Sequence, residues 1–111
     1  MAEVTPGPVQ YLGQITGADQ QLGAGATYPH PLGAQPLTKR WVARVHFRAA
    51  AGNSSEAQIT NKATAGTAVR GLLPAESYEF IVYNPGERYR LGDFFVNTSG
   101  ADYVEVFYVL R

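Results

Sequence analysis

The sequence predicts an all-β protein: an antiparallel, jelly-roll-like β-sandwich preceded by an extended N-terminal segment. Apolar and polar side chains alternate along residues 41–49 and 103–110, which is the period of a strand whose two faces meet different surroundings. Turn-forming residues separate short candidate strands about every 8–12 residues. No stretch combines a sustained helical period with capping residues. An open barrel is the alternative architecture.

Residues 41–51, WVARVHFRAAA, carry the strongest strand signal. The side chains expected to face the core are Trp41, Ala43, Val45, Phe47 and Ala49. The side chains expected on the opposite, solvent-facing side are Arg44, His46 and Arg48. A helix would scatter these three basic residues around its axis, so the pattern favours a half-buried strand.

The remaining strands follow from β-branched and aromatic residues between turns. The predicted strands are residues 9–16, 57–61, 69–73, 75–83, 89–97 (broken near Gly92) and 103–110, with a loop at residues 62–68. In the last strand the expected core-facing side chains are Val104, Val106, Tyr108 and Leu110. Phe107 and Val109 then lie on the nominally wet face, which indicates a covered face or an interface.

Residues 17–38 are rich in glycine and proline and show no period. A structureless loop of this length is unusual inside a compact domain, so the segment is either an arm that covers a neighbour or a crossover lying on the sandwich. We expect residues 1–40 to form an extended arm with one candidate strand at 9–16, and residues 41–111 to form the sandwich domain. The apolar side chains of the arm that would dock on a partner are Leu22, Tyr28, Leu32 and Leu37.

Composition excludes several classes of function. The chain has 111 residues, only 16% of them charged, and nine basic residues balance nine acidic ones, so we expect no nucleic-acid partner. The absence of cysteine excludes disulfides and thiolate metal sites. The N-terminus lacks the pattern of a signal peptide, and apolar runs are too short to span a membrane. We expect a protein made in a cytoplasm, without a membrane partner.

Catalytic chemistry has little support in the sequence. The histidines are His30, within a proline-rich run, and His46, between two arginines, where it is a poor general acid. Asp93 and Asp102 could approach each other as a carboxylate pair, but aspartates in turns and at strand ends are far more common. We therefore expect no enzymatic activity, no catalytic residues, no metal and no cofactor.

The basic stripe Arg44, His46 and Arg48 is the clearest surface feature. It is either a solvated face or a dock for an acidic partner, to which Arg88 and Arg90 would add. Surface aromatic residues could instead form a platform for sugars, although in a small β domain they more often pack in the core. The candidates for that platform are Tyr78, Tyr83, Tyr89, Phe95, Tyr103 and Phe107.

Three segments together resemble small virion proteins of tailed phages. The segments are RVHFRAAAGNSSEAQITN (44–61), GLLPAESYEF (71–80) and YRLGDFFVNTSGADYVEVFY (89–108). Their order and spacing, over residues 41–110, are similar to those of small β-sandwich proteins that act as capsid decoration proteins or head fibres. Such proteins usually carry a glycine in the Leu-Pro turn, where this chain has Ala75.

The resemblance implies a non-enzymatic decoration (cement) protein on the capsid surface of a virion. The implied partners are the major capsid protein or other virion proteins, together with further copies of the chain, with a trimer favoured. Docking would use the arm residues given above and the residues Arg44, His46, Arg48, Phe107 and Val109. The alternative is a carbohydrate-binding module or a receptor-binding accessory protein of a virion.

Overall fold

The computed structural model describes residues 8–61, 68–84 and 86–111. The strands of this part of the chain are β1 (Val9–Ile15), β2 (Gln20–Gln21), β3 (Thr27–Tyr28), β4 (Gln35–Pro36), β5 (Val42–Ala49), β6 (Ala57–Thr60), β7 (Ala68–Leu72), β8 (Ser77–Ile81), β9 (Phe95–Asn97) and β10 (Val104–Leu110). Two short 3₁₀ helices lie at Leu37–Lys39 and Leu91–Asp93. The predicted loop at 62–68 lies outside the described residues except for Ala68, which begins β7.

Eight of these strands form two antiparallel sheets. Sheet A has the order β1-β10-β5-β8, sheet B has the order β2-β9-β6-β7, and β3 pairs with β4 in a separate hairpin. The chain passes repeatedly from one sheet to the other, so most neighbours within a sheet are distant in sequence, whereas β6 and β7 are consecutive strands. The prediction of an all-β antiparallel sandwich is confirmed. The jelly-roll detail stays a prediction, with which this strand order is compatible.

The core is built from the alternating side chains of both sheets. Val45 and Phe47 of β5, predicted to be core, are fully buried, and the Phe47 ring packs against Tyr78 and Phe94 with centroids 6.4 and 6.0 Å apart. Full burial of one such side chain stabilises the fold by about 1.5–3 kcal/mol. The other fully buried side chains of large volume are Leu22, Val42, Ile59, Leu72, Leu91, Val96, Val104 and Val106.

The predicted core face of β5 is wrong at its first two positions. Val42, rather than Trp41 or Ala43, is fully buried. Along β10, Val109 pairs with Arg44 and Leu110 pairs with Val42, so Ala43 is an extra residue in β5. A β-bulge of this kind shifts the alternation by one residue, and it turns the side chain of Trp41 away from the core.

For residues 8–40, the prediction of a separate arm is also wrong, and residues 1–7 lie outside the described part of the chain. β1 pairs with β10 along sheet A, and β2 pairs with β9 at the edge of sheet B. Leu22 is fully buried and Leu37 nearly so, both within the one hydrophobic core. Residues 17–38 are therefore the crossover that the sequence left open as the alternative, and the boundary at residue 40 does not separate two folded units.

Candidate functional site

The outer face of sheet A turns away from the core and carries the basic stripe. His46 of β5 lies between Phe107 of β10 and Glu79 of β8 in the register of the sheet. In the same way Arg44 lies beside Val109, and Arg48 lies beside Glu105. Paired residues on adjacent strands share a face, so these side chains form one continuous surface.

An open groove of about 330 Å³ occupies the middle of this surface. We call it the outer groove, and its lining residues are Val9, Arg44, His46, Arg48, Glu79, Phe107, Tyr108 and Val109. One wall is apolar and is formed by the strands β1 and β10, whereas the other carries the charges of β5 and β8. A groove with both properties suits a partner segment that has an apolar and a charged side.

The apolar wall is built around the ring of Phe107. The Tyr11 ring packs against it at a centroid distance of 5.0 Å, and His46 meets it edge-on at 6.1 Å. The Tyr11 hydroxyl donates a hydrogen bond of 3.5 Å to Glu105, and partial desolvation together with this carboxylate raises the pKa of Tyr11. Val9 and Tyr11 are more than half exposed, so the apolar wall continues to the free edge of the sheet.

The charged wall contains one ion pair and one arginine without a carboxylate. Arg44 and Glu79 approach to 3.3 Å with both side chains substantially exposed. An exposed pair of this kind contributes about 0.2–1 kcal/mol to stability, so a partner could displace it at little cost. Among the described residues no carboxylate forms an ion pair with Arg48, which leaves a positive charge at the end of the groove.

The structure divides the nine predicted docking residues into two groups. Arg44, His46, Arg48, Phe107 and Val109 all line the outer groove. The second group, from the predicted arm, does not form a docking surface. Leu22 and Leu37 are buried in the core of their own chain, and Tyr28 is partly buried beneath Arg40, whose guanidinium carbon lies 4.4 Å from its ring centroid. Leu32 is 85% exposed in the loop between β3 and β4 and does not line the groove.

Val9, Tyr11 and Glu79 belong to this surface, although no sequence pattern assigned them to it. The strand at 9–16 was predicted, but no local pattern shows that it pairs with β10, almost a hundred residues later in the chain. Glu79 lies in a strand with apolar residues on both faces, so its side could not be assigned. The sequence did indicate a covered face or an interface here, through the alternation within β10 that places the apolar Phe107 and Val109 on the outer side.

The residues considered for catalysis are held in separate local contacts. His30 Nδ1 accepts a hydrogen bond of 3.1 Å from the Leu32 N–H. The Asp93 carboxylate accepts one of 2.7 Å from the Arg90 N–H, whereas the Asp102 carboxylate accepts those of Ser54 and Ser55. The structure thus gives the two aspartates different partners in different loops.

Metal-binding groups and membrane-spanning helices are both absent from the described residues. Residues 8–61, 68–84 and 86–111 contain no group of three or more His, Asp or Glu side chains placed to hold a metal ion. Within the same ranges, no helix has the length and apolar character needed to cross a membrane.

Two of the six aromatic residues suggested for a sugar platform pack against the core instead. Tyr78 stacks on Phe47, and Tyr89 packs edge-on against Phe80 at 4.9 Å. Tyr83 is 79% exposed but lies beyond the end of β8. Of the six, Phe107 lines the outer groove, where its ring packs against that of Tyr11.

Comparisons with known proteins gave no relative. No protein-family model matches the chain, and no match was found among curated proteins or among solved structures.

Proposed function

We propose that this protein is a non-enzymatic structural component of a tailed-phage virion, a capsid decoration protein that docks through the outer face of sheet A. The observation that carries the docking role is the outer groove, where the exposed Val9 and the half-buried Phe107 lie beside the unpaired positive charge of Arg48 on a sheet face. The virion setting rests on the resemblance of residues 41–110 to small phage β-sandwich proteins.

One backbone feature supports the resemblance. Ala75, which occupies the place of the usual glycine in the Leu-Pro turn, has a φ of 70°. This left-handed conformation is one that glycine adopts without steric cost and alanine does not. A glycine at this position, as the resemblance leads us to expect, would therefore fit the turn.

The mechanism differs from the arm that the sequence suggested. Because Leu22 and Leu37 belong to the core, the N-terminal region cannot leave the sandwich without exposing them. The contact with capsid subunits would instead be made by a preformed sheet face, which loses little conformational entropy on binding. The proposal includes self-association as a trimer, which light scattering of the purified protein measures directly.

The first experiment asks whether the outer groove makes the capsid contact. Capsids lacking the protein are mixed with the purified protein or its Val9→Asp variant, and the bound fraction is measured after sedimentation. Val9 is 57% exposed, so the substitution should leave the fold intact while placing a charge in the apolar wall. We expect capsid binding to be lost.

The matched control is Leu73→Asp, since Leu73 is 54% exposed and does not line the groove. This variant should bind capsids like the unchanged protein. Equal binding by the Val9→Asp variant would eliminate the outer groove as the docking site. Mass spectrometry of purified virions tests separately whether the protein is a virion component, and its absence from them would refute the decoration role.

The second candidate function is carbohydrate binding at the same groove. It is favoured by the adjacent rings of Tyr11 and Phe107 beside arginine and glutamate side chains, a combination that can stack on a sugar and bond its hydroxyl groups. A glycan array distinguishes the two functions. Specific binding that is lost on Tyr11→Ala would favour the carbohydrate module over the decoration protein.

A further inference from the structure

Trp41 lies on the outer face of sheet A with two arginines beside its ring. An antiparallel bridge joins Trp41 to Arg90, held by bonds of 2.9 Å from the Val42 N–H to the Tyr89 carbonyl and from the Leu91 N–H to the Arg40 carbonyl. Val42 points into the core, so its neighbour Trp41 points outward. We call Trp41, Arg88 and Arg90 the tryptophan cluster.

The cluster holds its guanidinium groups in a defined position. The guanidinium carbon of Arg90 lies 4.6 Å from the Trp41 ring centroid, and that of Arg88 lies 5.6 Å away. A guanidinium group that rests over an aromatic ring keeps the N–H groups at its edge available for hydrogen bonds. The indole therefore orders two donors that would otherwise be mobile on the surface.

Neither arginine of the cluster has an acidic partner among the described residues. The carboxylates of the two nearest acidic residues in the sequence bond groups other than the two guanidinium groups. Asp93 accepts the backbone N–H of Arg90 at 2.7 Å, and Glu87 accepts a hydrogen bond of 3.3 Å from the Asn84 side chain. By contrast, Arg44 of the outer groove is already paired with Glu79. The cluster thus presents two oriented, unneutralised positive charges.

We infer that the tryptophan cluster binds paired carboxylates of an acidic segment in the protein partner. The planar forks of Arg88 and Arg90 match the geometry of carboxylates. A nucleic acid fits less well, because the chain has nine acidic residues against nine basic ones and no net charge to attract a dense polyanion. The inference rests on the proposed function in one respect, that the outer face docks on a protein.

The partner segment can be described further from the position of the cluster. Arg44 and Trp41 belong to the same strand region and both point outward, so the cluster adjoins the outer groove at the Arg44 and Val109 end. We expect a segment with an apolar side chain next to a pair of acidic residues. The apolar side chain would lie in the outer groove, and the acidic pair would bind Arg88 and Arg90.

The test uses Trp41 as its own reporter, since it is the single tryptophan of the chain. A capped oligoglutamate peptide is titrated into the protein while the tryptophan emission is recorded. We expect a saturable change in emission that weakens with added salt, and no change with the matching oligoglutamine peptide. Absence of a saturable change with oligoglutamate would overturn the inference.

Substitutions identify the groups that bind. Arg88→Gln and Arg90→Gln should each weaken oligoglutamate binding by roughly tenfold or more, since each removes a charged hydrogen-bonding group. The matched control is Arg70→Gln, because Arg70 is an exposed arginine that also stacks on an aromatic ring, Tyr78 at 5.5 Å, but belongs to sheet B. Unchanged affinity in the Arg90→Gln variant, or an equal loss with Arg70→Gln, would refute the assignment.

Two further probes decide between carboxylates and phosphates. Oligothymidylate and inorganic phosphate are titrated under the same conditions, and either one binding more tightly than oligoglutamate would refute the acidic-peptide assignment. The outcome is separable from the proposed function. Normal capsid binding by the Val9→Asp variant removes the outer groove as a dock, whereas failure of oligoglutamate removes only the carboxylate site.

Discussion

At the scale of single residues, Asp102 determines how two loops of the sandwich are held together. Its carboxylate accepts the N–H groups of Ser54 and Ser55 at 2.8 and 3.1 Å and also both serine hydroxyls. Asn53 completes the contact by bonding both the N–H and the carbonyl of Tyr103. The loop after β5 and the loop before β10 therefore form one polar unit at one end of the two central strands of sheet A.

This contact predicts a specific dependence of stability on pH. The hydrogen bond from the Ser54 N–H is the main cause that lowers the pKa of Asp102 below its ordinary value of 3.8, opposed by desolvation and aided by the bonds of Ser55. A lowered pKa in the folded state stabilises the fold above the unfolded value, and that stabilisation is lost as pH falls from about 3.8 through the lower folded pKa. Urea unfolding measured across this range should show the loss.

The Asp102→Asn variant isolates the contribution of the carboxylate. It should unfold at lower urea concentration than the unchanged protein at neutral pH, and the difference should shrink as the solution is acidified below about pH 4. Asp19→Asn is the control, because Asp19 is exposed and has a φ of 51°, which asparagine tolerates. A difference between Asp102→Asn and the unchanged protein that stays constant with pH would exclude the electrostatic explanation.

At the scale of elements, the bulge in β5 determines which side chains reach the outer face. With Ala43 as the extra residue, Val42 and Val45 both point inward although they are three positions apart. Trp41 and Arg44 are left on the outer side, where one belongs to the tryptophan cluster and the other to the outer groove. The irregularity thus joins the two parts of the candidate docking face.

A deletion tests the bulge directly. Removing Ala43 should restore regular alternation from Val42 to Ala49 and cost about 1 kcal/mol, since the hydrogen bond from the Val82 N–H to the Ala43 carbonyl is lost. Removing His46 instead should reverse the faces of one half of the strand and prevent folding. Thermal unfolding followed by circular dichroism compares the two chains. A folded His46 deletion as stable as the Ala43 deletion would contradict the assigned register.

The strands β5 and β10 show how much of the candidate site could be predicted from the sequence. Strict alternation at 44–49 and 104–107 was enough to separate the buried Val45 and Phe47 from the basic stripe. The bulge was not predictable, since Trp41 and Val42 are both large and apolar and either can fill a core position. The two-residue strand β2 is too short to show a period. It forms because it pairs with the distant strand β9, and local propensity does not predict it.

At the scale of the whole molecule, residues 8–40 complete both sheets of a single core. β1 covers one edge of β10, while β2 covers β9. Leu22 is fully buried, and the 3₁₀ helices Leu37–Lys39 and Leu91–Asp93 lie so close that a side chain at Gly92 would come within 2.8 Å of the Thr38 carbonyl. Within residues 17–38, Gly23 serves this packing, since it has a φ of 79° and a side chain there would lie 3.2 Å from the Leu91 side chain.

This organisation predicts that residues 41–111 do not fold alone. The shortened chain loses the buried side chains of Leu22 and Leu37 and exposes the edges of β9 and β10, which are sites for association with other chains. Truncating one fully buried leucine already costs about 2–5 kcal/mol, a large fraction of the about 5–15 kcal/mol by which a typical domain is stable. We expect no cooperative unfolding transition and a strong tendency to aggregate.

The measurement is urea unfolding of the shortened chain, followed by near-ultraviolet circular dichroism, beside the full chain and its Leu22→Ala and Leu32→Ala variants. Leu22→Ala should unfold at much lower urea concentration, while Leu32→Ala should match the full chain because Leu32 is 85% exposed. Adding a peptide of residues 1–40 to the shortened chain should restore native signal if the two parts share one core. A cooperatively folded 41–111 would show that the N-terminal region is an accessory after all, and would restore the arm as a candidate for capsid binding.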